Sequence, residues 1–317
     1  MKIMELINKS HPEEFILLGF ADHPWLQLPL FIILLITYPM AMMGNIAIIL
    51  VSKLDPRLHS PMYFFLTNLS FLDMCYTTSI VPQMLFNLGT SKKTISYMGC
   101  AVQLYFFHMM AGAESLLLAV MSFDRYVAIC KPLHYTLIMK RRICILLVAT
   151  VWLSGMTYAV SEATITLQLP LYFCGPCEID HFFCDLPPIL ALACGDTSHS
   201  EAAVFVAAIL CISSPFLLII ASYGRILAAV LIMPSPEGRQ KALSTCSSHL
   251  LVVTLFYGSG SVTYLRPKAS HSPGVDKLLA LFYTVVTSML NPVIYSLRNK
   301  EVKTALRRTL GKKSNLI

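Results

Sequence analysis

Charge is what this sequence has least of. Only 13% of its 317 residues are Asp, Glu, Lys or Arg, about half the share found in soluble domains. With 56% hydrophobic residues and a mean hydropathy of +0.66, a water-soluble form would expose a large apolar surface. The composition therefore argues against a soluble enzyme or a nucleic-acid binder, and no nucleic acid is expected as a partner. No HExxH or GxSxG stands inside an apolar run, so no intramembrane enzyme is read either. No internal repeat of the kind transporters carry is visible. The first 25 residues carry Glu5, Glu13, Glu14 and Asp22 and lack an apolar core, so no cleavable signal peptide is expected.

Long apolar runs take the place of charge. A helix needs ~20 apolar residues to cross ~30 Å of hydrocarbon. Leu30 to Val51, Ile143 to Ser161, Ala202 to Gly224 and Leu278 to Leu297 hold no charge at all. Pro61 to Leu88 holds only Asp73, Gly99 to Phe123 only Glu114, and Ala242 to Leu265 one His. Runs such as LFIILLIT do not alternate as barrel strands would. The expectation is an all-α membrane protein. Its seven-transmembrane helix bundle, 26–297, has spans near 26–52, 61–88, 99–130, 142–163, 201–232, 241–265 and 276–297. Residues 1–25 precede the bundle and a tail, 298–317, follows it. In the tail Val302, Leu306 and Leu310 recur every fourth residue while Lys300, Lys303, Arg307 and Arg308 take other faces. That pattern suits a short amphipathic helix on the inner leaflet.

Lys and Arg set the orientation. The segments on one side of the seven spans hold 15 of them and those on the other side seven. The richer side should be cytoplasmic, which places the N-terminus outside. Asn8-Lys9-Ser10, a glycosylation sequon, falls on that outer side. So do Cys100, Cys174, Cys177, Cys184 and Cys194, where disulfides persist. The other five cysteines lie in spans or at cytoplasmic ends and are read as small packing residues.

Several polar groups sit where lipid makes them expensive. Asp73 and Glu114 are near span midpoints, where a charge costs at least ~2.5 kcal/mol and turns to the bundle interior. They either share a cation, with Asn45 and Asn291 adding neutral oxygens, or are protonated and hydrogen-bonded. Asp124-Arg125-Tyr126 closes the third span, as a switch or as a snorkelling anchor. Asn291-Pro292 in the seventh span and Pro215 in the fifth remove backbone donors and bend their helices. Three stripes recur at helical spacing: Phe107, His108, Ala111 and Gly112; Val204, Ala207, Ala208 and Cys211; and Tyr257, Ser261 and Tyr264. They fit either helix packing or the wall of a cavity for a small, mostly apolar ligand.

The motifs taken together resemble those of one family. Gly44-Asn45, LHSPMYFFLTNLSFLDMC from Leu58, MSFDRYVAICKPLHY from Met121 and HFFCDLPPILALACGDT from His181 appear in order. SYGRI from Ser222, KALSTCSSHL from Lys241, FYG from Phe256 and MLNPVIYSLRN from Met289 complete the set. The chain resembles an odorant receptor of the rhodopsin-like G-protein-coupled class, tetrapod-type (class II). It departs from the family pattern at Ser122, Phe123, Ser288 and Cys177.

That resemblance implies a function. A small volatile odorant would bind within the bundle along the three stripes. A stimulatory heterotrimeric G protein would then raise cyclic AMP, with no covalent chemistry. Arg125, in the Asp124-Arg125-Tyr126 motif and beside the Asp124 carboxylate, would change partner on activation and meet the G protein, with Tyr223, His249 and Tyr295 as the polar groups around it and Asn291-Pro292 as a hinge. It implies the pairs Cys100–Cys184 and Cys174–Cys194, with Cys177 left over. It implies no cofactor beyond a structural Na⁺ at Asp73 and Glu114. It also implies a multi-pass protein of the plasma membrane, in olfactory neuron cilia. The alternative is a rhodopsin-like receptor for another small, non-odorant ligand. An amine receptor would want a carboxylate on the outer half of the third span, where Phe107 and His108 stand; Glu114 is nearly two turns deeper.

Overall fold

A computed structural model describes residues 13–168, 176–193, 196–264, 273–298, 302–305 and 307–308; the side chains of 165–168, 241, 263–264, 273 and 297–298 are excepted. Its frame is seven long helices. These are α1 (Pro24–Leu54), α2 (Pro61–Gly89), α3 (Tyr97–Cys130), α4 (Arg141–Gln168), α5 (Ser198–Leu231), α6 (Pro236–Tyr264) and α7 (residues 273–298). Four of them start on a proline: Pro24, Pro61, Pro236 and Pro273. Proline suits that place because its fixed φ is helical and its missing N–H is not needed there. α3 is capped instead by Ser96, whose hydroxyl accepts from the Gly99 amide at 3.0 Å.

Among the described residues, five helices are both long and apolar enough to cross a bilayer: α1, α3, α4, α5 and α7. α2 and α6 are each 29 residues long but more polar. α2 can carry that polarity because Ser70, Asp73, Thr77 and Asn87 are turned inward and buried. α6 begins with charged turns, Pro236 to Lys241, so its ordered start lies five residues before the expected span at 241.

α3 is the central helix and packs on α2, α4, α5 and α6. Its contact with α4 is close enough to require glycine. A Cβ on Gly155 would sit 2.5 Å from the Met109 carbonyl oxygen. The outward faces of α1, α4 and α5 are apolar, with Ile33, Leu146, Leu210, Leu217 and Leu218 exposed. Such a surface is stable only in lipid.

Two features have no counterpart in the sequence reading. A three-stranded sheet of order β2-β1-β3 sits at the end of the bundle expected to lie outside. β1 (Glu14–Leu17) pairs antiparallel with β2 (Thr94–Ser96) and parallel with β3 (Glu178–Ile179). It binds the N-terminal segment to the first and second outer loops and buries Phe15 and Leu17. The fold is therefore not purely helical. The second feature is a π turn, Phe282–Val286, inside α7, before the bend that Pro292 was expected to make. In the tail, residues 302–305 and 307–308 are helical, with Val302 and Ala305 packed into the main core. Leu306 and Leu310 lie outside the described residues.

Candidate functional site

The cavity lies in the outer half of the bundle and measures about 50 Å³. Of the residues expected there, Phe107, His108, Ala111, Gly112, Ala208, Cys211 and Tyr257 line it. Val204, Ala207 and Ser261 are not among the lining residues. Val204 packs instead against Leu104, Leu186 and Leu190. Leu186 and Leu190 belong to a one-turn helix of the long outer loop, which helical spacing within α5 cannot foresee. Ala207 and Ser261 each follow or precede a lining residue by one position, about 100° around the helix. The side chain of Tyr264 lies outside the described residues.

The wall also draws on helices that showed no stripe. α2 contributes Tyr76, α4 contributes Tyr158 and α7 contributes Tyr283. Ser115, Ile212, Phe256 and Gly260 extend the expected faces by a turn or less. The polar groups are tied into the fold. Ser115 Oγ donates to the Cys211 carbonyl at 2.8 Å. Tyr257 donates to the Ser115 carbonyl at 2.9 Å. His108 Nδ1 is 2.9 Å from the Leu104 carbonyl, so that nitrogen carries the proton, because a carbonyl only accepts. The Tyr283 hydroxyl points at Asp185 Oδ2, 3.4 Å away. Tyr158 stands one turn before Glu162, a carboxylic residue buried at the outer end of α4.

A roof closes the outer end. Cys100 and Cys184 are disulfide-bonded, with Cα atoms 5.5 Å apart. The Cys184 amide donates to Gln103 Oε1 at 2.8 Å, and Gln103 Nε2 donates to the Ser79 carbonyl at 2.8 Å. The long loop is thus tied to α3 and, through it, to α2. Lys277 on α7 is buried and bonds both Asp180 of that loop and, at 3.3 Å, Asp22. Cys177 is a free, half-buried thiol in the apolar cluster beneath the sheet. Cys174, Cys194 and Asn8 lie outside the described residues.

His181 in the roof is buried against Phe182 and Phe183. Burial, aided by the Lys277 charge and opposed by Asp185, pushes its pKa down to about 4. An unfolded His titrates near ~6.5, so the unfolded chain binds more protons between those values. This contribution to stability is complete above ~6.5 and falls away as pH drops toward about 4. The purified protein should melt at a lower temperature at pH 4.5 than at pH 7. His181→Phe should flatten that dependence, and an unchanged slope in the variant would contradict this account.

The end expected to be cytoplasmic holds the second group of residues. Arg125 Nη2 donates to Asp124 Oδ2 at 2.6 Å, and Asp124 Oδ1 accepts from the Tyr135 hydroxyl at 2.8 Å. Tyr135 begins a one-turn helix just beyond α3 and was not expected to take part. Tyr126 lies beside it, half-buried between the main core and a smaller cytoplasmic cluster. Tyr223 and His249 bond each other rather than Arg125. His249 Nε2 is 3.1 Å from the Leu118 carbonyl and so donates to it, which leaves Nδ1 to accept from the Tyr223 hydroxyl at 2.8 Å. Deeper in the bundle, Asn291 Nδ2 donates to both Asp73 oxygens at 2.9 and 3.1 Å. Pro292 packs against Gly44 of α1, where a Cβ would be 3.0 Å from the ring. Asn45 Oδ1, Glu114 Oε1 and the Tyr295 hydroxyl are buried without a hydrogen-bond partner among the described residues.

The model of the olfactory receptor family matches residues 34–313. The chain belongs to that family. Among its relatives, human olfactory receptor 2C3 is 54% identical over 305 residues, covering 96% of this chain and 95% of that one. Human olfactory receptor 2B2 is 52% identical, covering 98% of this chain and 86% of that one. Mouse olfactory receptor 2B6 is 51% identical, covering 97% of each. Squid rhodopsin, a solved structure, shares the fold at TM-score 0.69 and 18% identity, covering 91% of this chain and 86% of that one. The protein is a multi-pass membrane receptor with the rhodopsin-like seven-helix architecture, and its family is one of receptors rather than enzymes.

Proposed function

We propose that a small, mostly apolar odorant binds in the cavity among α3, α5 and α6 and so activates a stimulatory heterotrimeric G protein, raising cyclic AMP. The observation that carries this reading is a pair of bonds. Tyr257 and His249 of α6 donate to the carbonyls of Ser115 and Leu118 on α3. The first bond is on the cavity wall. The second joins the Tyr223–His249 pair toward the cytoplasmic end, eight residues or ~12 Å along α6. An occupant that displaces Tyr257 loosens the upper bond and favours a state in which α6 has moved. The test is a panel of small volatile ligands on cells expressing tagged receptor, with cyclic AMP and surface protein both measured. A ligand that raises cyclic AMP in wild-type cells and fails in Tyr257→Ala cells with equal surface protein supports the reading. An equal response in that variant contradicts it.

The same reading places the receptor in the plasma membrane of olfactory neuron cilia, with its N-terminus outside. Support comes from the Lys and Arg asymmetry and from the Cys100–Cys184 disulfide, which belongs in an oxidising compartment.

A sodium ion at Asp73 and Glu114 is also proposed. The buried, unpartnered oxygens of Glu114 and Asn45 suit a hard cation, which takes oxygen ligands. When bound, the ion would supply positive charge between helices. Thermal stability of purified receptor should rise with sodium at fixed ionic strength, with potassium as the replacement, and Glu114→Gln should weaken the rise. A wild-type curve flat in sodium would leave the two carboxyls as internal hydrogen-bonding groups.

A further inference from the structure

We infer that Tyr76 of α2 is the hydrogen-bond donor that selects oxygen-bearing odorants over hydrocarbons of the same skeleton and turns their oxygen toward α2. The inference rests on the odorant reading of the cavity and adds the ligand class and its orientation.

The other polar side chains of the wall are engaged within the fold. Ser115 donates to the Cys211 carbonyl, Tyr257 to the Ser115 carbonyl and His108 Nδ1 to the Leu104 carbonyl. Tyr158 is hydrogen-bonded to Glu162. Tyr283 faces Asp185 and has a further partner. The second nitrogen of a neutral His108 can only accept, and the free thiol of Cys211 is a weak donor. Tyr76 differs. It lines the cavity, is only 1% exposed, and has no hydrogen-bond partner among the described residues. Its hydroxyl is still not one of the polar atoms sealed inside the fold, so it opens on the cavity. The wall therefore keeps one strong donor to spare.

Any occupant takes the place of water at this hydroxyl. A hydrocarbon leaves the buried donor unpaired, which costs free energy, whereas the oxygen of a ketone, an aldehyde or an alcohol accepts its proton. Tyr76 enters the cavity from α2, while Ala208, Cys211 and Ile212 enter from α5 and Phe256 and Gly260 from α6. With its oxygen on Tyr76, a ligand lays its carbon skeleton toward α5 and α6 and so beside Tyr257. Gly260 leaves room at that end, since a Cβ added there would meet no atom within 4 Å.

The experiment uses full-length purified receptor and two matched sets: cyclohexane, cyclohexanone and cyclohexanol, and octane, octanal and octanol. The readout is the ligand concentration that gives half-maximal thermal stabilisation. Tyr76→Phe keeps the ring and removes only an unpartnered hydroxyl, so without ligand it should melt like wild type. It should raise the concentration required of each carbonyl compound and alcohol about tenfold, and leave that of the hydrocarbons unchanged or lower. Gly260→Val, which fills the α6 end, should weaken octanal more than cyclohexanone. The carbonyl stretch of bound cyclohexanone, read by difference infrared spectroscopy, should lie lower in wild type than in Tyr76→Phe, a shift that a merely structural role would not produce. A loss in Tyr76→Phe that is equal for ketone and hydrocarbon, or a carbonyl stretch that the variant does not move, would overturn the inference. So would a series in which no member stabilises the receptor. Cyclic AMP measured in parallel separates the two readings. Tyr76-dependent binding without cyclic AMP upholds the ligand class and counts against the coupling. Cyclic AMP responses to ketones that are undiminished in Tyr76→Phe uphold the receptor and sink the role of Tyr76.

Discussion

Arg125→Ala should abolish agonist-driven cyclic AMP while leaving receptor at the cell surface. Arg125 is held by Asp124 at 2.6 Å, and its side chain is only 12% exposed. Asp124 itself is fully buried and also takes the Tyr135 proton. This arrangement holds the guanidinium against its own helix. Charge-assisted bonds of this kind are worth about 1.5–3 kcal/mol, enough to bias a two-state bundle yet within reach of an agonist's differential affinity. Asp124→Asn weakens the same hold without removing the arginine, so it should raise basal cyclic AMP several-fold. The two variants must move in opposite directions. A silent Asp124→Asn together with a fully responsive Arg125→Ala would remove Arg125 from the coupling machinery.

The second large effect is on assembly. Cys184→Ser should reduce surface receptor by about tenfold or more. The bond joins residues 84 apart in sequence, and closing a loop of that length restricts the unfolded chain by roughly 4.5 kcal/mol in the entropic account. Cys184 is also fully buried beneath the sheet, and its amide is spent on Gln103. Cys100→Ser should match it, and the double variant should be no worse, because both act through one bond. Surface counts and melting curves would check this. Wild-type values in both single variants would show that the roof is held by the sheet and Lys277 alone.

The spans were legible because lipid imposes a simple rule: about 20 uncharged residues in a row. α3 and α5 obey it well. α2 and α6 are more polar yet show such runs too, Pro61 to Leu88 interrupted only by Asp73 and Ala242 to Leu265 holding only His249. The sheet was not legible. Its strands have four, three and two residues, too short to show alternation, and β1 pairs with β3 about 160 residues away. Lys277 reads in sequence as one more basic loop residue. Its burial depends on Asp22 and Asp180, which lie 255 and 97 positions away.

The cavity was half legible for a related reason. Helices that give several residues, α3 and α5, display a stripe. Helices that give one residue each, such as Tyr76, Tyr158 and Tyr283, display nothing. At the end expected to be cytoplasmic the residue types and the Asp124–Arg125 pair were read, but the Tyr135 and Tyr223–His249 bonds were not. Arg125 was expected among Tyr223, His249 and Tyr295, whereas Tyr223 and His249 satisfy each other. Each pairing depends on helix rotation, which residue spacing leaves open.

The central claim is that an occupant of the cavity drives the cytoplasmic end through α6. Its most direct test is nucleotide exchange on a purified stimulatory G protein by purified receptor in lipid, with and without a small odorant active in cells. Wild-type receptor should accelerate exchange when the odorant is added. Ala111→Phe, which fills the cavity from α3, should lose that acceleration while melting within a few degrees of wild type. Exchange that ignores the odorant in wild type, or that responds undiminished in Ala111→Phe, would contradict the account.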